Sequence, residues 1–528
     1  MRLGPTGLIE VASPFDAVTH AQLRAVRPAG RWLSRSGCWE FPLEAAAALE
    51  QQLAGRFPLT SELRQWLDWH RQPLPPLPPH RQMVAAAGLE QPLQDGRRLY
   101  AHQRAAVRWL LARRGAVLAD AMGLGKTLTA LVAARTMVRL ADCRILVLAP
   151  GGLHSHWRRE AAALGLRLEL HSWARVPLQA PEAGTVLIAD EAHFAQNLSA
   201  ARTQAFLRLA RHPRLRAIWL LSGTPMKNGR PVQLFPLLAA IGHPLGRDQR
   251  VYEERYCQGH WREQGGRRIW QASGAGHLDE LQRLVRPLLL HRSKQHCLDL
   301  PPKHRRLVPV QLEPAAAHGF QQQLEDRVEA YRRRAARGEV RRDAEALAVF
   351  TALRRIASTF KLAEAISLLE VLVAQGESVV VFTAFVATAR QLHQHFGGDP
   401  RALLLEGAVP VRRRAELVDA FQAGSSPLLI ATFGTGGLGF TLHRARHVVL
   451  LERPWTPGDA EQAEDRCHRI GMGSSLTSHW LQLGVADQLV DSLIASKAER
   501  ISLVLHSRQE QWRRRALPEL VRQLLERW

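Results

Sequence analysis

Hydrophobic and polar positions along the chain follow a strand-and-helix pattern in its first half. Short apolar runs at Ala116–Ala119, Thr185–Ala189 and Ala217–Leu221 end in polar turns. Apolar runs of about four to eight residues are typical of strands that are buried on both faces of a parallel sheet. The stretch Leu128–Leu140 has the periodicity of a helix and contains neither Gly nor Pro. The pattern predicts a parallel sheet flanked by helices.

A second series of apolar runs, separated by helical stretches and turns, follows in the C-terminal half and predicts another parallel sheet. Its members are Val379–Phe382, Ala402–Leu405, Leu428–Ala431, Val448–Leu451 and Ser478–Leu481. A chain of 528 residues is also too long for one compact core. We therefore predict an α/β fold with two such units, preceded by a small α+β module.

The stretch "DAMGLGKT" between the first strand and the first helix ends like a Walker A phosphate loop. Gly123 and Gly125 allow the backbone to approach phosphates, which also face the positive end of the helix. In this interpretation Lys126 holds the β- and γ-phosphates, and the Thr127 hydroxyl binds Mg²⁺. Asp120 stands where the motif has Gly, which is tolerable because Asp enters the left-handed region more readily than most residues.

Three further groups complete a predicted ATP site. Asp190 and Glu191 follow the second strand and are suited to binding Mg²⁺ and to activating the attacking water, respectively. Ser222–Pro225 follows the third strand as a polar turn suited to sensing the γ-phosphate. Upstream, Gln103 is suited to pairing with adenine through its amide. The expected cofactors are therefore ATP and Mg²⁺.

The second unit carries the groups that would complete catalysis. Gln462, Arg466 and Arg469 recur at helical spacing, so they share one face. Two arginines at this spacing form either an ordinary solvated stripe or arginine fingers, which stabilise transition-state charge when domains close. The glycine-rich stretch around Gly436 and Gly437 predicts a flexible loop that couples nucleotide to nucleic acid.

Net charge points to the partner. The chain has 71 Lys and Arg residues, nearly all of them Arg, and a net charge of +23. An excess of this size indicates a polyanionic partner, and the fork geometry of Arg favours phosphate.

The expected compartment is a reducing one. No apolar run of about eighteen residues suggests a membrane span, and the N-terminus lacks the apolar region of a signal peptide. The five cysteines form no C-x-x-C pair, which argues against a zinc finger or a disulfide framework. We expect a cytoplasmic protein, associated with the nucleoid in a bacterium or nuclear in a eukaryote, with no membrane partner.

Seven motifs together resemble the SWI/SNF-type branch of superfamily 2 helicases, over about residues 95–500. They are DAMGLGKT, APGGLHSHW, DEAH, LSGTPMKN, VVVFTAF, GTGGLGFTL and QAEDRCHRIG. That branch also begins its phosphate loop with Asp, as Asp120 does here. The resemblance implies a DNA-dependent ATPase with two RecA-like lobes that travels along duplex DNA without separating the strands. It assigns ATPase roles to Lys126, Thr127, Asp190, Glu191, Arg466 and Arg469, and adenine reading to Gln103.

The resemblance also implies contacts with DNA phosphates. Pro150–Trp157, which includes Gly151, Gly152 and His154, and Thr435–Gly437 match loops that hold the DNA backbone in this branch. The inter-lobe stretch Glu313–Phe360 is helical and Arg-rich. It is either a solvated helix pair or, as we prefer, a protrusion that contacts DNA.

The N-terminus resembles the HepA-related (HARP) repeat of annealing helicases. The matching residues are Arg31 with Trp32, and the stretch "WEFPL" that contains Trp39 and Phe41. One interpretation is that these aromatic residues form the core of a small domain. The other is that Arg and exposed aromatic residues grip single strands or junctions by charge and stacking.

The expected domain order has six parts. They are a HARP-like module at 1–72, a Pro-rich linker at 73–94, lobe 1 at 95–305, a helical protrusion at 306–365, lobe 2 at 366–500 and a basic helical brace at 501–528.

Three functions compete on these observations. The favoured one is a monomeric, ATP-driven translocase on double-stranded DNA that remodels or reanneals forked or branched DNA. The second is a translocase that displaces or recycles a DNA-bound protein such as RNA polymerase. The third is a DNA-binding scaffold without hydrolysis. A single-stranded-DNA-binding protein and RNA polymerase are the candidate protein partners.

Overall fold

The computed structural model describes most of the two predicted units and part of the N-terminal module. The described residues are 1–3, 9–13, 16–27, 29–34, 36–41, 45–53, 56–61, 64, 77–264, 266–337, 342–436, 440–454, 456–484, 487–488, 500–501 and 503–505. Within them the strands form two large parallel sheets, an antiparallel N-terminal sheet and a two-stranded hairpin. The basic brace predicted at 501–528 lies almost entirely outside the described residues.

The N-terminal module is a small antiparallel sheet with two helices. Its elements are β1 (Arg2–Leu3), β2 (Ile9–Ala12), α1 (Ala17–Ala25), β3 (Arg31–Leu33), β4 (Cys38–Phe41) and α2 (Ala46–Gln52). Among the described residues the strand order is β1-β2-β4-β3, with antiparallel pairing throughout. Asp16 begins α1 by accepting hydrogen bonds from two backbone amides of its first turn.

Of the two interpretations of the aromatic residues in this module, exposure for binding DNA is wrong for two of them, which belong to the core of the module. Trp39 and Phe41 are 6% and 0% exposed and pack with residues of both helices in the core. They are buried because β4 is an inner strand of the sheet, paired on both edges. Trp32 lies on the edge strand β3 and is 36% exposed, and the neighbouring Arg31 forms an ion pair with Glu40 at 3.2 Å.

The first large sheet forms the predicted first unit. Its elements in chain order are α3 (His80–Ala86), α4 (Ala101–Leu111), β5 (Gly115–Leu118), α5 (Lys126–Ala141), β6 (Ile145–Ala149), α6 (His154–Ala163), β7 (Glu169–Ser172), β8 (Thr185–Asp190), α7 (Ala201–Ala210), β9 (Leu215–Leu221), α8 (Phe235–Ala240), α9 (Gln249–Tyr256), β10 (His260–Gln264), β11 (Arg267–Gln271), α10 (Leu278–Val285) and β12 (Leu289–Leu290). Across the described part of this sheet the parallel strand order is β12-β5-β9-β8-β6-β7. The inner strands are buried along their length because helices cover both faces.

The second large sheet forms the predicted second unit. The helix α11 (Lys294–Cys297) lies in the connection between the two sheets. The elements of the second unit are β13 (Lys303–Pro309), α12 (Pro314–Ala336), α13 (Arg342–Ala374), β14 (Val379–Thr383), α14 (Val386–His395), β15 (Ala402–Leu405), α15 (Val411–Ala423), β16 (Leu428–Thr432), α16 (Phe433–Gly436), β17 (His447–Leu450), α17 (Pro457–Cys467) and β18 (Leu476–Gln482). The parallel order over the described residues is β13-β18-β17-β14-β16-β15. All eight strands predicted from apolar runs are present, and the α/β fold with two RecA-like lobes is confirmed.

Two predicted domain limits fall inside elements of the second unit. The division between residues 305 and 306 cuts β13, which pairs in parallel with β18 over its full length. The division at residue 365 cuts the long helix α13, whose apolar side chains at Ala365, Leu369 and Leu372 are buried against the second sheet. The second lobe therefore begins with an edge strand that comes directly from the inter-lobe connection.

The parallel topology decides where the functional groups lie. β5, β8 and β9 are neighbours, and their carboxyl ends lead into Asp120, Glu191 and Ser222. Ligands bind outside the carboxyl ends of the strands in open α/β sheets. Among the described helices, none is both long and apolar enough to span a membrane.

The core position of Phe41 gives a test of the N-terminal module. Phe41→Ala should lower the stability of the module by about 3–5 kcal/mol, because it leaves a cavity in the core. Trp32→Ala should cost only about 0.2–1 kcal/mol, the worth of its cross-strand pairing with Trp39. Hydrogen exchange of the β2 and β4 amides measures both effects. Equal losses in the two variants would contradict the assigned burial.

Candidate nucleotide-binding and catalytic site

The phosphate loop has a backbone that requires glycine at two positions. Gly123 and Gly125 have φ angles of +84° and +76°, in the left-handed region that favours glycine. A Cβ on Gly125 would also lie 2.2 Å from Nε2 of Gln103. The loop leads directly into α5, whose first residue is Lys126 and whose second is Thr127. The predicted cradle of strand, glycine-rich loop and helix is therefore present.

Lys126 points back into the loop. Its Nζ donates to the backbone oxygens of Asp120 at 2.8 Å and Ala121 at 3.3 Å. Burial lowers the pKa of Lys126, and nearby carboxylates, first that of Glu191, oppose this shift. The turn after β9 lies alongside, since a Cβ on Gly223 would be 3.4 Å from Nζ. The ammonium group is thus held where a phosphate would enter the loop.

The Asp at the start of the loop has a structural partner. The buried Asp120 carboxylate forms a two-point ion pair with Arg292, in which Nε lies 2.9 Å from Oδ1 and Nη2 donates to Oδ2. Nη1 of Arg292 donates to the backbone oxygen of His102 at 2.7 Å. The Ala121 amide donates to the Arg292 carbonyl at 3.0 Å. Asp120 therefore fastens the phosphate loop to the segment that follows β12.

Asp190 lies at the end of β8 in a fixed orientation. Its Oδ2 accepts a hydrogen bond from the indole Nε1 of Trp157 at 2.8 Å, and its Oδ1 accepts one from the Glu191 amide at 2.9 Å. The indole of Trp173 donates to the Asp190 carbonyl at 2.8 Å. Burial, and next the Glu191 carboxylate, raise the pKa of Asp190 to about 6.

Glu191 occupies a strained backbone position beside it. Its φ of +49° is uncommon for a residue with a side chain, and such strain clusters at functional sites. His193 Nδ1 lies 3.2 Å from Oε2 of Glu191. Burial alone would raise the pKa of Glu191, but His193, Lys126 and Arg466 together lower it to about 2. A lowered pKa favours the ionised carboxylate, the form that activation of water requires.

The two arginines of the second lobe reach the same cleft. Arg466 is 3% exposed and close enough to Glu191 for their charges to interact. Burial, and next Arg469, lower the pKa of Arg466 to about 10. The Cγ and Nε atoms of Arg469 lie 3.5 and 3.6 Å from the position of a Cβ on Gly123. Both arginines therefore meet groups of the first lobe and do not form a solvated stripe.

The cleft has features that fit Mg-ATP. Nε of Arg469 is buried without a hydrogen-bond partner among the described residues, although Nη1 donates to Thr441 at 2.8 Å. An unpaired buried donor beside the phosphate loop is suited to a phosphate oxygen. The carboxylate of Asp190 and the hydroxyl of Thr127 are oxygen ligands of the kind that Mg²⁺ prefers.

The two predicted glutamines occupy buried positions. Nε2 of Gln103 donates to the Leu124 carbonyl at 3.3 Å, and its Oε1 accepts from the Tyr100 amide at 3.0 Å. The amide predicted to read adenine thus joins α4 to the phosphate loop in this structure. Gln462 is 8% exposed on α17, the helix that also carries Arg466.

The loops predicted to hold DNA phosphates differ in exposure. Gly151 and Gly152 form a short 3₁₀ turn before α6, and a Cβ on Gly151 would meet open space. His154 begins α6, and its Nε2 lies 3.2 Å from the Ala149 carbonyl. Thr435 is buried, and its hydroxyl donates to the Leu405 carbonyl at 2.7 Å.

The rest of the second predicted DNA loop is only partly described. Gly436 ends the short helix α16, which also contains Thr435. Gly437 lies outside the described residues.

Sequence reasoning missed three residues that build the site. Arg292 pairs with Asp120, Lys294 contacts the arginine-bearing segment of the second lobe, and Trp157 orients Asp190. One available signal was the run Arg292-Ser293-Lys294, which is separated by one residue from the apolar pair Leu289–Leu290. A basic group at the carboxyl end of a sheet strand is a candidate phosphate-site residue.

The protein has two lobes, each built on a parallel sheet. The first lobe carries the phosphate loop, and the second carries Arg466 and Arg469. This arrangement defines a helicase-like P-loop nucleotide-binding protein. The SNF2-related domain model matches residues 102–168 and 176–362, and the helicase conserved C-terminal domain model matches residues 361–471. The chain therefore belongs to the SWI/SNF-type family of superfamily 2.

Named relatives are similar over most of the chain. The mouse "DNA annealing helicase and endonuclease ZRANB3" is 29% identical over 78% of this chain and 41% of its own length. The Bacillus subtilis "Putative ATP-dependent helicase/translocase YwqA" is 26% identical over 78% of this chain and 49% of its own length. The chain thus spans less than half the length of these two relatives.

A solved structure is similar over a comparable part of the chain. It is the Sulfolobus solfataricus SWI2/SNF2 ATPase core in complex with dsDNA. It is 19% identical and has a TM-score of 0.36, covering 79% of this chain and 99% of its own.

The positions of Lys126 and Glu191 predict two different defects. Lys126→Ala should abolish ATP binding, because the phosphate loop loses its cation. Glu191→Gln should bind ATP but hydrolyse it about 100-fold more slowly or worse, because only water activation is lost. Binding of a fluorescent ATP analogue and steady-state turnover separate the two defects. The exposed residue Glu182 provides a control variant, Glu182→Gln, and near wild-type turnover in Glu191→Gln would remove Glu191 from this role.

Proposed function

We propose that the protein is an ATP-driven translocase on double-stranded DNA that remodels or reanneals branched DNA. The observation that carries the proposal is the meeting of two lobes at one cleft. Lys126 and Glu191 come from the first lobe, and Arg466 and Arg469 from the second. Hydrolysis at such a site depends on closure of the lobes, which lets ATP turnover drive motion between them.

Each residue of the cleft has a definite task in the proposed reaction. Thr127 and Asp190 would hold Mg²⁺, which would neutralise phosphate charge when Mg-ATP is bound. Lys126 binds the phosphates, and the ionised Glu191 carboxylate accepts a proton from the attacking water. Arg466 and Arg469 stabilise the negative charge that develops in the transition state.

The proposed polymer is double-stranded DNA. The net charge of +23 favours a polyanion, and the exposed Gly151–Gly152 turn presents backbone where the family places DNA phosphates. Trp157, in the helix after this turn, donates its indole hydrogen bond to Asp190. This contact gives DNA binding a direct physical route to the ATP site.

The preference for branched DNA rests on the N-terminal module and on the named relatives. Trp32 and Arg31 are consecutive residues of the edge strand β3, so their side chains project to opposite faces of the sheet. At this edge an unpaired base would stack on the ring, and a phosphate would pair with the guanidinium on the other face. ZRANB3 carries the name of an annealing helicase. We therefore assign the reading of junctions to Trp32 and Arg31 and not to the buried Trp39 and Phe41.

The position of Arg469 predicts a specific loss of coupling. Arg469→Ala should retain binding of ATP and of DNA but lose DNA-stimulated turnover by about 1,000-fold, the usual contribution of an arginine finger. Arg412, which is fully exposed on α15, gives the control Arg412→Ala. Turnover measured with and without duplex DNA tests this. Undiminished stimulation in Arg469→Ala would show that the arginine does not act in the reaction.

The exposed edge of β3 predicts a defect confined to junctions. Changing Arg31 and Trp32 to Ala should leave ATPase activity on long duplex DNA largely intact. Fork preference and strand annealing should fall together by about ten-fold, because one stacked base contributes about 1–3 kcal/mol. Binding and annealing assays on forked, duplex and single-stranded DNA measure these effects.

The other outcomes of that experiment have separate meanings. Equal loss on every DNA form would make the module a structural support for the first lobe. No loss on any form would contradict junction reading and favour displacement of a DNA-bound protein such as RNA polymerase. Circular dichroism of the double variant checks that the module stays folded.

A further inference from the structure

The connection between the two sheets contains a short basic segment, Arg292-Ser293-Lys294, which we call the connector. It follows β12, the edge strand of the first sheet, and precedes β13, the edge strand of the second. Its first residue, Arg292, is fixed to the phosphate loop through the Asp120 carboxylate and the Ala121 amide. One end of the connector therefore moves with the first lobe.

The other end of the connector contacts the second lobe. Nζ of Lys294 lies 2.9 Å from Oδ1 of Asp465 and donates to the His468 carbonyl at 2.7 Å. Lys294 is only 8% exposed. Its Cε lies 3.4 Å from the position of a Cβ on Gly123, so the side chain passes directly beside the phosphate loop.

These contacts hold the part of the chain that presents the arginines. Asp465 precedes Arg466, and His468 precedes Arg469. Lys294 therefore holds this segment at two points, one adjacent to each arginine. The same Asp465 carboxylate lies 3.5 Å from Nζ of Lys303, which ties the segment to β13 as well.

The free-energy cost of burying the Lys294 ammonium group makes its contact depend on the position of its partners. A buried ammonium group is costly unless a partner compensates its charge. Burial lowers the pKa of Lys294 to about 8, although Asp465 opposes the shift. Arg292, two residues earlier, is fixed to the phosphate loop. Movement of the second lobe away from that loop would therefore strain or break the ion pair with Asp465 and the bond to the His468 carbonyl.

We propose that Lys294 is a positioning residue that fastens the arginine-bearing segment Asp465–Arg469 to the phosphate loop when the cleft closes. It acts through Arg466 and Arg469 and does not itself contact the reacting atoms. Within the connector, Arg292 contacts the phosphate loop and Lys294 contacts the segment that carries the two arginines. The connector thereby joins these two parts of the site. This inference rests on the proposed ATPase function. It adds the residue that aligns the phosphate loop of the first lobe with the arginines of the second.

A second inter-lobe ion pair provides a matched control. Lys227, after β9, lies 2.7 Å from Asp459 in the first turn of α17, the helix that also carries Asp465. Its two side chains are 29% and 26% exposed, against 9% and 12% for Lys294 and Asp465, so solvent screens this pair more and we expect it to contribute less. Lys227→Gln removes a cation between the same two lobes but at the far end of α17 from the connector.

The experiment compares Lys294→Gln, Lys294→Arg and Lys227→Gln in the full chain. Lys294→Gln should reduce the DNA-stimulated kcat by roughly 5- to 150-fold, the usual range of coupling between sites, with less than about two-fold change in ATP affinity. Lys294→Arg should recover most of the loss because it keeps the cation. Lys227→Gln should match wild type. Steady-state turnover with saturating duplex DNA and equilibrium binding of an ATP analogue provide these values.

A second variant guards against a folding defect. Asp465→Asn removes the charge partner and keeps a side chain of the same shape, and it should lose at least as much kcat, because the contact with Lys303 is weakened as well. Adding Lys294→Gln to Asp465→Asn should add little, because the ion pair between the two residues is already absent. Thermal unfolding of each variant identifies any that fail to fold.

Three results would overturn the inference. They are wild-type stimulation in Lys294→Gln, equal losses in Lys294→Gln and Lys227→Gln, and a loss that lies in ATP affinity instead of kcat, which would make Lys294 a phosphate ligand. Wild-type protein without any DNA stimulation would instead contradict the proposed function and is distinguishable from all three.

Discussion

The cleft between the lobes contains many buried charged groups, and each needs a partner of opposite charge or a hydrogen bond. Neither lobe alone supplies all of these partners, and this requirement explains how the surrounding elements are arranged. Ionised groups removed from water are costly unless each has a partner with good geometry. Here the partners come from distant parts of the chain, so neither half of the site is complete without the other. The groups involved are Asp120, Lys126, Asp190, Glu191, Arg292, Lys294, Asp465, Arg466 and Arg469.

Parallel strand order is what makes this concentration of charge attainable. Neighbouring strands deliver their carboxyl ends to one edge, so residues that are far apart in sequence meet without a special loop. Two features of the backbone conformation are also required. Positions 123 and 125 are glycines with positive φ angles, and Glu191 adopts a left-handed backbone conformation. Through these features the phosphate loop and the acidic pair keep a fixed arrangement, which reduces the ordering required at the moment of reaction.

The sequence was sufficient to predict the features that are local. Lys126 and Glu191 belong to contiguous motifs, and the central strands are apolar runs of the expected length. Contacts between distant residues were not predictable from such patterns: Arg292 and Asp120 are 172 positions apart, and the two side chains meet only through strand pairing. Burial of Trp39 was one of two interpretations and could not be decided, because an aromatic residue in a short strand suits a core and a binding surface equally well. Exposure is decided by which strands lie at the edge of the sheet.

The hydrogen bond from Trp157 to Asp190 has a consequence for the direction in which information flows. The indole is rigid and buried, so it sets the distance between the helix after the Gly151–Gly152 turn and the carboxylate at the end of β8. Coupling between two binding sites is reciprocal in free energy. If duplex held at the turn strengthens the grip on nucleotide by some factor, nucleotide must strengthen the grip on duplex by the same factor. Release of nucleotide would then weaken the binding of duplex DNA, as the proposed translocation requires.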